Sequence, residues 1–381
     1  MARSPRASAL QRVLVVVACV PVVGAAPGPP GETLREADAL FRDGEFTRAT
    51  EALTEAVRAD PTDAGTHSRR AAAYLGKGEY AKAIAEYTEA IRLRPADAGA
   101  YWGRGCARNY NGEYDNAIED CNEAIRLNPK LAPAYCSRGF AHDRKGDCDM
   151  AIADFTEAIR LDPKDAYPRR YRAREFHKKH QYQTAIGDYS DAIRLGPGSA
   201  NARYDRGVAY HNMGNPDEAI ADYTGAIRLN PRYAQAYFAR GVAYAGKGEL
   251  GVAIADYSEA IRLNPKDENS YCNRGVAYAR GGELGRAIAD YGEAIRLGPS
   301  GAAAYNNRAA AYWDLREYGK AVADYSEAIR LSPECAEAYY GRALAYQKQG
   351  ESVKAADDLA RAKKLGYPPP SGLPAGPGKH D

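Results

Sequence analysis

The sequence predicts an all-α solenoid, and three observations carry that prediction. The motif AIRL followed by any residue and then Pro begins at Ala90, Ala124, Ala158, Ala192, Ala226, Ala260, Ala294 and Ala328, always 34 residues apart. Within each period apolar and small residues recur at spacings of three and four, as one buried helix face requires. Alanine also holds two fixed places in every period, which marks helices in close approach. A two-helix segment of this length cannot cover its own apolar face, so it must stack on the next.

Laid out in frames of 34, the chain contains ten consecutive repeats with no insertion: 30–63, 64–97, 98–131, 132–165, 166–199, 200–233, 234–267, 268–301, 302–335 and 336–369. Repeat six shows the logic. Gly207, Tyr210, Ala219, Ile220, Tyr223, Ala226, Ile227 and Leu229 fall at positions 8, 11, 20, 21, 24, 27, 28 and 30 of the frame. They describe two amphipathic helices separated by turn residues near Gly214 to Asp217. Pro231 ends the second, since proline cannot donate the next helical hydrogen bond and disfavours a helical residue before it.

Position 20 is alanine in all ten repeats, position 27 likewise, and position 8 is Gly or Ala throughout. These are the expected points of helix contact, with large aromatics at 11 and 24 filling the space beside them. With Tyr at 11, Gly at 15, an aromatic at 24 and Pro at 32, the frames resemble tetratricopeptide repeats over Pro30 to Pro369. That resemblance implies a right-handed superhelix whose first helices line a concave groove. It departs from the family pattern at position 4, aromatic only at Tyr101, Tyr135, Tyr237, Tyr271, Tyr305 and Tyr339, and at position 7, where nine repeats carry Arg instead of Leu. The strict 34-residue period argues against the RNA-reading pentatricopeptide family, whose period is 35.

The terminal repeats differ, as caps should. Repeat one has Glu36 and Leu53 in place of the Arg at 7 and the aromatic at 24. Repeat ten carries Lys354, Asp357, Asp358, Arg361 and Lys364 on its second helix, suited to meeting water at an open end. The segment 370–381 is Pro/Gly-rich and expected to be disordered.

Arg at position 7 (Arg70, Arg104, Arg138, Arg172, Arg206, Arg240, Arg274, Arg308 and Arg342) could form a ladder that binds a polyanion or RNA. Position 23 is acidic in the same nine repeats, from Glu86 and Asp120 to Asp358, which favours pairing between helices. Glu259 and Arg262 typify a solvated pair three residues apart on the second helix.

Within the family, groove-facing residues occupy positions 2, 5, 6, 9, 12 and 13 of the first helix. Two patches stand out there. One centres on YPRRYRAREFHKKH (Tyr167 to His180) of repeat five and would expose Tyr167, Arg170, Tyr171, Arg174, His177 and Lys178. Trp102, Tyr110 and Arg144 precede it, and Tyr204 and His211 follow. Cations beside aromatics suit an acidic peptide or one with a free carboxylate; a solvated basic face is the plain alternative. The two-carboxylate clamp of chaperone-binding relatives needs a Lys/Asn set that no three successive repeats supply. The other patch is Asn269, Asn273, Asn306 and Asn307, whose amides could hold an extended peptide backbone or simply be polar surface.

Residues 1–26 differ from the rest. Arg3, Arg6 and Arg12 precede the apolar run Val13 to Val23 and then Gly24, Ala25 and Ala26, the layout of a secretory signal peptide followed by a linker at 27–29. Its removal would move the net charge from +2 to −1, leaving no global field for nucleic acid or an anionic membrane. A rival reading takes Val16-Val17-Ala18-Cys19 as a lipobox, with a chain anchored through Cys19. The expected location is therefore exported, periplasmic or extracellular.

Seven cysteines at unmatched positions give no zinc spacing and read mostly as small core or groove residues. Walker, GxSxG, HExxH and nucleotide-glycine motifs are absent from the sequence. His177 and His211 share position 12 in adjacent repeats, but no acidic groove residue accompanies them. No catalytic residue, metal site or cofactor is expected. The reading is a scaffold or adaptor for a peptide or partner protein, with a lipidated envelope-complex assembly factor and a polyanion binder as alternatives.

Overall fold

A computed structural model of the chain describes residues 29–367. The segments assigned from sequence to a signal peptide, and the carboxy-terminal tail, lie outside these residues. Twenty α-helices and no strand occur among the described residues. The chain divides into two compact bodies, the first ending at Pro197 and the second beginning at Gly198.

The first body contains five antiparallel pairs: α1 (Pro29–Arg42) with α2 (Phe46–Ala59), α3 (Ala64–Lys77) with α4 (Tyr80–Leu93), α5 (Ala98–Asn111) with α6 (Tyr114–Leu127), α7 (Ala132–Lys145) with α8 (Cys148–Leu161), and α9 (Ala166–Lys178) with α10 (Tyr182–Leu195). The second body repeats the plan with α11 (Ala200–Asn212) and α12 (Pro216–Leu229), α13 (Ala234–Gly246) and α14 (Leu250–Leu263), and α15 (Glu268–Arg280) and α16 (Leu284–Leu297). Two further pairs, α17 (Ala302–Asp314) with α18 (Tyr318–Leu331) and α19 (Ala336–Gln349) with α20 (Ser352–Lys364), complete it. Within each body every pair packs on the next.

Local chemistry sets these boundaries. Asp63, Asp97, Asp165 and Ser199 cap first helices by accepting backbone N–H bonds from the opening turn. At position 15 the backbone turns into the left-handed region in all ten repeats: eight are glycines such as Gly112 (φ 84°) and Gly146 (φ 88°), and two are His180 (φ 58°) and Arg316 (φ 62°). Second helices end where the residue before proline still donates backward, as Asn230 N–H does to Ala226 O at 2.9 Å.

The repeated small residues are contact points. Every position-20 alanine is at most 1% exposed and every position-27 alanine at most 7%. Gly207, Gly241 and Gly275 lie so close to the rings of Tyr223, Tyr257 and Tyr291 that a Cβ would sit 2.7, 2.8 and 2.7 Å from the nearest ring carbon. Glycine at position 8 and tyrosine at position 24 are thus two halves of one contact.

The arginine ladder is internal. All nine position-7 guanidiniums pair with the position-23 acid of their own repeat at 2.6–2.8 Å, and the arginine side chains are only 13–21% exposed. A third arm reaches the preceding repeat: Arg104, Arg138 and Arg172 donate to Thr88, Asn122 and Thr156, and Arg240, Arg274 and Arg342 to Thr224, Ser258 and Ser326. Each clamp therefore ties two helices of one repeat and, in these six, the second helix of the previous one. Guanidiniums so engaged are not arrayed for a polyanion.

Candidate functional site

In the first body, the first helices of repeats three and four enclose a cavity of about 80 Å³, closed at one end by the start of α9. From α5 come Trp102, Cys106, Asn109 and Tyr110; from α7 come Pro133, Cys136, Ser137 and Phe140; Asp165 and Tyr167 complete it. Except for Asp165, all stand at positions 2, 5, 6, 9, 12 or 13 of their frames, the positions that the family resemblance assigns to the groove. First helices pack side by side with these faces turned one way, so side chains 31–35 residues apart in sequence become neighbours.

Ser137 organises the floor. Its hydroxyl accepts the indole N–H of Trp102 at 2.9 Å and lies 3.2 Å from Cys106 Sγ, while its carbonyl accepts Asn109 Nδ2 at 2.9 Å. These bonds hold α5 against α7. Tyr110 stacks on Tyr80 with centroids 5.5 Å apart and planes at 16°. Tyr167 donates its hydroxyl to Tyr171 at 3.0 Å, and burial pushes its phenol well above the usual range. Asp165 caps α9 by accepting from Tyr167 N–H at 2.8 Å; burial raises its carboxyl above the usual range despite that bond.

Two of the cationic residues expected at this surface are committed to acids. Arg174 donates to Asp143 at 2.9 Å, and Lys178 bonds both Asp143 and Glu175. Glu175 replaces the alanine found at position 10 in all nine other repeats and is fully buried. Burial pushes the Glu175 carboxyl up, with Lys178 opposing. At Asp143 burial also disfavours charge, but Lys178 and Arg174 outweigh it and hold the carboxyl below the usual range. Arg170 lies over the Tyr171 ring at 5.6 Å, and Arg144 donates to Tyr114 OH at 3.1 Å.

Of the residues expected to face a ligand, the cavity brings together Trp102, Tyr110 and Tyr167. Tyr171 differs from the expectation: it is 2% exposed and packs among Phe140, Phe155 and Tyr167, a core position. His177 packs near Tyr182, with ring centroids 5.2 Å apart. Tyr204 and His211 belong to the second body, where Tyr204 contacts Tyr223 and Tyr233 and His211 is exposed. In the asparagine patch, Asn273 donates to Asn269 O on its own helix at 2.9 Å, and Asn307 Nδ2 approaches Cys272 Sγ at 3.9 Å. Asn306 Oδ1 is buried without a partner, as is the indole N–H of Trp313 seven residues further along the same helix.

Sequence reasoning missed Cys106, Asn109, Pro133, Cys136, Ser137, Phe140 and Asp165. Six of the seven sit at groove positions, so the frame itself was the available signal; attention to charge drew it to repeat five. The six described cysteines form no disulfide. Among the described residues, no group of three or more His, Cys, Asp or Glu could hold a metal ion, and no helix is long and apolar enough to cross a membrane.

Tetratricopeptide repeat family models match residues 34–98, 68–132 and 204–268, and 132–165; a further TPR repeat model matches 173–214, 277–316 and 314–350. Curated proteins gave no match. Among solved structures, the chain is similar to the APC/C hetero-tetramer Cut9-Hcn1, with 16% identity, TM-score 0.51 and coverage of 93% of this chain and 80% of that one. It is also similar to YrrB, a TPR protein with an unusual peptide-binding site (23% identity, TM-score 0.44, 49% of this chain and 96% of that). MamA gives 26% identity, TM-score 0.41 and coverage of 42% and 95%. The first of these likenesses speaks to the fold. With ten helix pairs in a 34-residue register and matches running along most of the described chain, the protein belongs to the tetratricopeptide repeat family.

Proposed function

We propose that the chain is a protein-interaction scaffold that holds an extended segment of a partner against its first helices, with the cavity between repeats three and four as the anchor point. The observation that carries this reading is the coincidence of frame and shape: the residues that vary between repeats, not those that repeat, line the concavity. Four aromatic rings at its wall supply contact area at low conformational cost, and the space suits a side chain rather than a nucleotide-sized cofactor. Membership of the family supports a partner that is a protein or peptide. The sequence of residues 1–26 supports export of the chain, and the mass of the mature amino terminus separates simple cleavage from a lipid on Cys19.

Photo-crosslinking tests the reading. A benzophenone amino acid placed at Phe140 should label one peptide segment of a partner, mapped by mass spectrometry, and the same group at exposed Arg160 on the second helix should not. Equal labelling from both places would refute it.

A further inference from the structure

The polar character of the cavity goes a step further than the groove reading on which it rests, because it selects the chemistry of the occupant. Two of the donors at its wall are already used: the Trp102 indole N–H goes to Ser137 and the Tyr167 hydroxyl to Tyr171. Asn109 is 6% exposed, and its Nδ2 bond to Ser137 O fixes the amide so that Oδ1 is left with no donor. Asp165 adds a carboxylate. No lysine or arginine lines the cavity; Arg174 and Lys178 are taken up by Asp143 and Glu175, and Arg169 donates to Pro163 O at 3.0 Å. An orphaned acceptor and a carboxylate set among π faces complement a flat, cationic donor. An acidic side chain would lose its hydration beside the Asp165 carboxylate with no cation in the wall to balance it.

We propose that the cavity receives an arginine side chain from an extended partner peptide, its guanidinium stacked on the aromatic wall and donating to Asp165 and Asn109 Oδ1. The partner segment is thus basic, opposite to the acidic peptide that the cation-rich sequence of repeat five suggests. Arg174 and Lys178 hold Asp143 and Glu175, and Asp165 stays available.

The test uses the full chain carrying Trp313→Phe, which leaves Trp102 as the only tryptophan. Its fluorescence is titrated with acetylated, amidated heptapeptides differing only at the centre: Arg, Lys, citrulline, norleucine or Glu. The Arg peptide should bind at least tenfold tighter than the norleucine and Glu peptides. Asp165→Asn, which keeps a capping side chain, should cost the Arg peptide about tenfold, as loss of one charge-assisted hydrogen bond does. It should leave thermal unfolding and norleucine binding unchanged. Equal or tighter binding of the Glu peptide, or an Arg affinity insensitive to Asp165→Asn, overturns the arginine assignment alone. Silence of Trp102 toward all five peptides overturns the groove reading with it.

Discussion

Breaking one arginine clamp tests whether the ladder is structural, and the pair Arg240–Asp256 offers a clean case. Arg240 Nε donates to Asp256 Oδ2 at 2.8 Å, Nη2 to Oδ1 at 2.7 Å, and Nη1 to Thr224 Oγ1 of the preceding repeat at 3.0 Å. The side chains are 18% and 6% exposed. Removing the carboxylate by Asp256→Leu strands a largely desolvated guanidinium. Breaking a buried pair costs 3–5 kcal/mol, and the partial exposure of Arg240 places the expected loss near the lower limit, about 3 kcal/mol. Asp256→Asn keeps one acceptor and should cost about 1–2 kcal/mol. Because repeat arrays lose stability locally, hydrogen exchange in peptides from α13 and α14 reads the effect alongside urea unfolding of the whole chain. A double-mutant cycle with Arg240→Met should return a coupling of about 1–3 kcal/mol, little changed between 0.05 and about 0.5 M salt because Asp256 is shielded from counter-ions. Single losses below about 0.5 kcal/mol with no coupling would show that the clamp is ornamental and that the ladder is free for a ligand.

The remaining predictions concern repeat five and the turns. Glu175 carries a folded-state carboxyl above its ordinary 4.5, so the native state holds its proton more tightly than the unfolded chain. Its contribution to stability is therefore fully present below the usual carboxylate range and lost as pH rises through the raised folded value. Glu175→Gln should remove that loss: relative to the parent, the variant gains stability between pH 4 and pH 8 in urea titrations, and a constant difference across that range would refute the assignment. Asp143, held low, contributes in the opposite sense in both proteins, losing stability as pH falls. Arg316, left-handed at φ 62°, should yield about 0.5–1 kcal/mol of added stability on Arg316→Gly, read as a raised thermal midpoint. His180→Gly should give less, because it forfeits the 2.6 Å contact of the imidazole with Tyr182 OH.

What the sequence determined by itself is whatever repeats. A period of 34, alanines at 20 and 27, glycine facing tyrosine, and an acid sixteen residues after each arginine are relations inside one repeat. Short-range geometry fixes such relations, so helix pairs, turns and clamps could all be read in advance. Tertiary structure decided what depends on the neighbouring repeat. Arg174 and Lys178 look like free cations in their own helix and are neutralised by Asp143, 31 and 35 residues earlier. Tyr171 holds a groove position by register but is covered by Phe140 and Phe155 of repeat four, whereas Ser137, unremarked in sequence, joins Trp102 and Asn109 to build the cavity floor. Periodicity tells each side chain which way to point; only the residue that stacking places opposite decides whether it is spent on the fold or left for a partner.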